Sequence, residues 1–281
     1  MKNILVAIDF SKGSIHALRY SIELAGQLKS NLSLIWVDNE TGIGSGLSFD
    51  DNEYRNEAIK NFNELISTYG KDFSGEINYK LRRGKVYQEV ANMARMTDAD
   101  LIIAGTHGVT GFEQYWIGSN AYRIVSYAPC PVLTVRFDYD YEHKISNMVL
   151  PIDSTPDTRQ KVPFACGMAK DLGATMHILG LHSTSLKSLQ RKTISNIEEV
   201  VKFCEKEKVD FIITEVQSTD VTKAIVAYAK QADADLIAIM TEQHRSASGL
   251  LLGPQAQQLV NFSPIPVLSI QPKEIYSLSS R

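Results

Sequence analysis

The sequence predicts an α/β fold in two tandem copies, each a five-stranded parallel sheet doubly wound by helices. Three observations carry this reading. Short apolar runs such as 4–9, 32–37 and 101–104 lack polar alternation, as strands buried on both faces do. Segments of helical period lie between them, and strand–helix alternation means a parallel sheet covered on both sides. The pattern also occurs twice. Asn3-Ile4-Leu5-Val6-Ala7-Ile8-Asp9 matches Asn147-Met148-Val149-Leu150-Pro151-Ile152-Asp153 at an offset of 144. Asp98-Ala99-Asp100-Leu101-Ile102 matches Asp233-Ala234-Asp235-Leu236-Ile237 at an offset of 135, and 128–135 matches 263–270 at the same offset.

In the first copy the opening strand is 4–9. Ser11 caps a helix whose apolar face is Ile15, Leu18, Ile22 and Ala25. The second strand is 32–37. A helix over 51–69 faces inward with Ala58, Phe62, Leu65 and Ile66. Then come a strand at 77–81, a helix at 86–95, a strand at 101–104, a helix at 119–126 and a last strand at 132–135. The change of offset means that the second copy has lost nine residues. The loop after the second strand is the place assigned, where the first copy carries Thr41-Gly42-Ile43-Gly44-Ser45-Gly46, a stretch that either covers a ligand or simply connects. The segment 137–144 is polar and aromatic without periodicity, so the domains are read as 1–142 and 143–281.

Composition narrows the function. The 281 residues are 44% hydrophobic and 22% charged, with a net charge of −3, and no run of Lys and Arg forms a basic stripe. A nucleic-acid partner is not expected. No apolar run reaches membrane-spanning length and the start lacks a signal-peptide pattern, so no membrane partner and a cytoplasmic location are expected. The three cysteines, Cys130, Cys166 and Cys204, have no CxxC spacing and read as buried free thiols. The six histidines show no metal-ligand spacing, and no Walker A, GxSxG or HExxH motif is present. Neither metal-ligating nor catalytic residues are assigned.

The strongest local signal is Gly105-Thr106-His107-Gly108, nine residues, then Gly118-Ser119-Asn120, set between a buried strand and a helix. Glycines admit a ligand to the backbone, and the first helical turn presents free N–H groups. Together they make an anion site. Asp9, Val37 and the Gly105 loop all fall at strand carboxyl ends, where such sheets bind ligands. His107 reads as a rim or hydrogen-bonding residue rather than a general base.

A repeat of this size, with Asp9 ending strand one and a G-x2-G-x9-G-S pattern after strand four, resembles the universal stress protein family. The chain is similar to its tandem members over nearly its whole length. The resemblance implies a Rossmann-like, adenine nucleotide alpha hydrolase-like fold and ATP or ADP as ligand, with Mg2+. It places Asp9 and the backbone at Val37 at the adenine and ribose end, with Ala104 and Gly105 close to the ribose. His107, Gly108, Gly118, Ser119 and Asn120 then surround the phosphates, and Ser119 offers its hydroxyl to a phosphate or to Mg2+. Ala7 stands where many members carry proline.

The second copy departs from this pattern. Met240, Gln243 and Pro254 occupy the positions of Gly105, Gly108 and Ser119, while Gly253 and Asp153 match Gly118 and Asp9. Proline supplies neither an N–H nor a hydroxyl. The second copy is therefore expected not to hold a nucleotide. The function implied is a nucleotide-dependent stress-response or regulatory protein with slow or no hydrolysis. The alternatives are an enzyme using ATP productively, kinase-like or adenylating, or a second copy that binds a different small molecule or protein. In the family the last strands pair antiparallel between subunits. Here Val132–Val135 and Val267–Ile270 are expected to pair within one chain as an internal pseudo-dimer, with a homodimer also open.

Overall fold

The computed structural model describes residues 1–38, 51–106, 119–141, 144–241, 243–246 and 249–272. In the first half, β1 (Asn3–Ala7), β2 (Asn31–Asp38), β3 (Ile77–Arg83), β4 (Leu101–Gly105) and β5 (Val132–Val135) alternate with α1 (Lys12–Leu28), α2 (Asp51–Tyr69), α3 (Val86–Met96) and α4 (Ser119–Tyr127). The second half repeats the order with β6 (Asn147–Ile152), α5 (Val162–Leu172), β7 (Thr175–His182), α6 (Lys187–Glu207), β8 (Phe211–Gln217), α7 (Val221–Gln231), β9 (Leu236–Met240), α8 (Pro254–Phe262) and β12 (Val267–Ile270). Two features were not expected from the sequence. A 3-10 turn spans Pro156–Arg159, and a hairpin of β10 (Gln243–Ser246) and β11 (Gly249–Leu252) precedes α8.

Within each half the strands are parallel, but the two sheets do not remain separate. They fuse into one ten-stranded sheet in the order β3-β2-β1-β4-β5-β12-β9-β6-β7-β8. Read by copy, that order is palindromic. The join is antiparallel, with Leu133 opposite Leu268 and Thr134 opposite Val267. Strands buried on both faces must alternate their side chains between two cores. Ile4 and Val6 therefore pack on one face with Leu18, Phe62, Ala165 and Val200, and Leu5 on the other with Val90, Ile124, Ile225 and Leu259. Each core runs through both halves, which makes three layers, α/β/α.

Helix α1 is capped by Ser11, whose side chain accepts from the Ser14 N–H. Its buried stripe differs from the expected one. Ile15 and Ile22 lie half-buried at the flank, while Ser14, Ala17, Leu18, Ser21, Leu24, Ala25 and Leu28 face the sheet. Small residues sit at the centre because the helix packs close to β4. Ser21 satisfies its buried hydroxyl by donating to the Ala17 carbonyl at 2.6 Å.

The repeated Asp-Ala-Asp motif has a structural explanation. Asp100 Oδ2 accepts from the N–H groups of Lys2 and Asn3 at 2.6 and 3.1 Å, and Asp235 Oδ2 from those of Ser146 and Asn147 at 2.7 and 2.9 Å. Each carboxylate thus ties the start of the first strand of its copy to the turn before the fourth. Asp98 and Asp233 both adopt left-handed backbone, with φ of 46° and 45°.

The segment Thr41 to Gly46 lies outside the described residues. The length difference is not confined to it, because the connection between α2 and β3 runs 70–76 in the first half and its counterpart only 208–210. The linker aromatics are docked. Tyr139 and Tyr141 pack edge-on against Tyr20, and the Tyr139 hydroxyl donates to the Asp235 carbonyl at 3.3 Å. The three cysteines are free, as expected, but Cys130 is only half-buried where all three were expected to be buried. Cys166 and Cys204 are buried with sulfurs 3.4 Å apart, and burial pushes the Cys130 thiol up to about 12.

Candidate functional site

The strand order reverses between β1 and β4. From β1 the chain winds outward to β2 and β3, then returns to β4 and β5 on the opposite side. Doubly wound sheets open a crevice at this point, beyond the strand carboxyl ends. The register sets Ala7 beside Ala104 across the β1–β4 pair, with Ile35 on its other side, and Val37 lies near the end of β2. Gly105 ends β4, paired with Val135. Ala7, Asp9, Val37, Ala104 and Gly105 are thus brought to one edge of the sheet.

Asp9 closes the turn from β1 into α1. Its N–H donates to Ser14 Oγ at 3.2 Å, and its Oδ1 accepts from the Ser11 N–H at 3.0 Å. The carboxylate is solvent-exposed. Phe10, next in the chain, has a φ of 61° and packs against Phe62 with ring centroids 5.0 Å apart. A bulky residue in left-handed backbone is uncommon and holds the turn in one shape.

Gly105 has a structural reason in addition to its place in the motif. A Cβ there would stand 2.7 Å from the Gly13 carbonyl oxygen and 2.8 Å from the Gly13 carbonyl carbon. The absent side chain lets the first turn of α1 press against the end of β4. The N-terminus of α1 is thereby fixed beside the crevice. Ser119 and Asn120, both exposed, open α4 on the far side of the loop. His107, Gly108 and Gly118 lie outside the described residues.

The second half repeats the Asp9 turn and changes what surrounds it. The Asp153 N–H donates to Thr158 Oγ1 at 3.3 Å, and its Oδ1 accepts from the Thr155 N–H at 2.8 Å and from the Thr155 hydroxyl at 2.6 Å. The Ser14 role passes to Thr158 and the Ser11 role to Thr155. At the α4 equivalent, α8 begins with Pro254 after Gly253. The hairpin β10–β11 fills the stretch before it, and the Leu252 N–H donates to the Tyr122 hydroxyl of the first half at 3.1 Å.

A cavity of ≈80 Å³ lies beside this turn, lined among others by Asp153, Thr158, Lys161, Met240, Gly253 and Gln255. Sequence reasoning missed Lys161. It matches Ala17 at the offset of 144 and is 3% exposed, with Nζ 3.1 Å from Thr158 Oγ1. Burial lowers its pKa to about 8, against the attraction of Asp153. The available signal was one charged residue opening the otherwise apolar run Val162, Ala165, Cys166, Met168 and Ala169.

No group of three or more His, Cys, Asp and Glu side chains poised for a metal ion occurs among the described residues. No described helix is long and apolar enough to cross a membrane.

The family model described as the universal stress protein family matches residues 1–136 and again 144–271. A universal stress protein of Methanocaldococcus jannaschii is 29% identical over 143 residues, which cover 48% of this chain and 82% of that protein. One from Bacillus subtilis is 29% identical over 145 residues, covering 47% of this chain and 97% of that protein. Each of these matches covers about half of this chain. The crystal structure of a universal stress protein from Archaeoglobus fulgidus superposes over 96% of this chain and 98% of its own, with a TM-score of 0.75 and 19% identity, a likeness of fold. The match of both halves to one family model settles the classification: the chain belongs to the universal stress protein family and carries two copies of its domain.

Proposed function

We propose that the first half binds ATP or ADP, with Mg2+, and that the protein is a nucleotide-dependent stress-response or regulatory protein. The observation that carries this reading is the placement of Ala7, Asp9, Val37, Ala104 and Gly105 around the β1–β4 switch point, with Ser119 and Asn120 opening the helix beyond. A sheet of this winding receives its ligand there. The exposed Asp9 carboxylate suits a ribose hydroxyl as hydrogen-bond donor. Ser119 and Asn120 stand in the first turn of α4, where free N–H groups favour phosphate. His107, Gly108 and Gly118 complete the proposed phosphate cradle by their sequence spacing.

In the second half the same reading gives no nucleotide. Pro254 removes an N–H from the first turn of α8, and Met240 places a side chain where the first half has Gly105. Mg2+, when bound, would neutralise phosphate charge, and the Ser119 hydroxyl is the group that would face it.

The test is the nucleotide that co-purifies with the folded protein, identified by mass spectrometry, together with Gly118→Val. A branched side chain there should weaken binding at least about tenfold, roughly 1.4 kcal/mol, with the fold intact. Unchanged affinity in the folded variant places the ligand elsewhere.

A further inference from the structure

Lys161 is a buried cation without an ion-pair partner among the described residues. Its Nζ makes one hydrogen bond, to Thr158 Oγ1, and no described carboxylate lies within the 4.0 Å of an ion pair. Asp153 attracts it from farther off, but the Asp153 Oδ1 is already engaged by Thr155. Asp157, on the same wall, accepts from Gln160 Nε2 at 2.7 Å. An ammonium carries three donors, and leaving two of them unmet in a buried setting is strongly unfavourable.

The surroundings indicate what would meet them. Lys161 lines the ≈80 Å³ cavity, several times the roughly 10–15 Å³ that one water needs. The Thr158 hydroxyl already accepts from Lys161 and from the Asp153 N–H, so its own proton is left to donate. Gln255 and Ala256, in the first turn of α8, also line the cavity and bring the positive end of that helix. Leu181, Ile225, Ile239 and Leu259 form an apolar wall. In the first half the position of Lys161 is Ala17, which packs as core, so this cation belongs to the second copy alone.

We propose that this cavity binds a small organic carboxylate, its oxygens held by Lys161 and Thr158 and its short aliphatic body against Leu181, Ile225, Ile239 and Leu259. Inorganic phosphate meets the ammonium but leaves the apolar wall unfilled. The proposal stands independently of the nucleotide reading of the first half.

The experiment is calorimetric titration of the full chain with butyrate, alongside inorganic phosphate. Butyrate should bind at one site per chain, and phosphate at least about tenfold more weakly. Lys161→Met keeps the side-chain volume and should remove butyrate binding while the protein stays folded. Ile239→Phe, which fills the cavity and keeps the ammonium, should weaken butyrate as well. ATP binding by both variants should match the wild-type value, which separates this site from the first-half site. Three results would overturn the proposal: no binding of butyrate at tens of millimolar, equal butyrate affinity in Lys161→Met, or phosphate binding as tight as butyrate.

Discussion

Asp9 and Asp153 show how one residue type keeps its local geometry while its chemical setting changes. Both close the same turn, with Oδ1 taking the N–H two residues on. What differs is the wall beside the turn, where Ala17 in one half becomes Lys161 in the other. The Ser11 cap beside this turn was legible because a Ser just ahead of a helical period is local chemistry. The buried lysine was not, since depth in the fold depends on the helix packing over it. Its state predicts a pH dependence. The folded pKa of about 8 lies below the ordinary 10.5, so between these values the unfolded chain holds more protons and stability rises with pH. Below about 8 the lysine is charged in both states and contributes no slope. Lys161→Met should be at least as stable as wild type at neutral pH and should lose a rise of roughly 3 kcal/mol. Urea denaturation from about pH 7 to about pH 10 measures it; an unaltered slope in the variant would exclude Lys161 as its source.

At the scale of elements, strand and helix positions followed the sequence closely, because buried strands and amphipathic helices announce themselves by period. Helix α2 runs over Asp51–Tyr69, the span expected. Two features did not announce themselves. The centre of the α1 stripe is built of small residues, Ser14, Ala17, Ser21 and Ala25, which carry little hydrophobic signal but allow close approach. The strand β10 is the polar segment Gln243–Ser246, with none of the alternation that marks a strand, and it forms by backbone pairing with β11. The contact between α1 and β4 yields a direct prediction. In Gly105→Ala the new Cβ would sit inside contact distance of the Gly13 backbone, which cannot yield without moving α1. The cost should be about 1–3 kcal/mol, read as a lower thermal or urea midpoint, with weaker nucleotide binding because the crevice is built on that contact. A variant as stable as wild type would show that α1 has room to shift.

For the whole molecule, the sequence showed a duplication and the matching last strands, and the structure joins them into one sheet. Edge strands with unpaired backbone groups invite association, and the duplication closes β5 with β12 inside one chain. The halves are further tied by Gln271 Nε2 donating to the Val125 carbonyl at 2.8 Å and by Leu252 to Tyr122. Residues 1–142 expressed alone would keep β5 paired with β4 but leave its outer edge open, and should dimerise through that edge or aggregate. Light scattering that shows a stable, well-behaved monomer would mean that this edge needs no partner. A sequence cannot rank such contacts, because they join residues more than a hundred positions apart.

The two halves of this duplicated chain are proposed to differ in ligand: a nucleotide in the half that keeps Gly105, Gly118 and Ser119, and a small carboxylate in the half that carries Met240, Pro254 and Lys161. The most direct measurement is calorimetric titration of the nucleotide-free full chain with ATP in the presence of Mg2+. One nucleotide should bind per chain, lost in Gly118→Val and kept in Lys161→Met. Two equivalent sites per chain, or a single site that survives Gly118→Val and disappears with Lys161→Met, would contradict it.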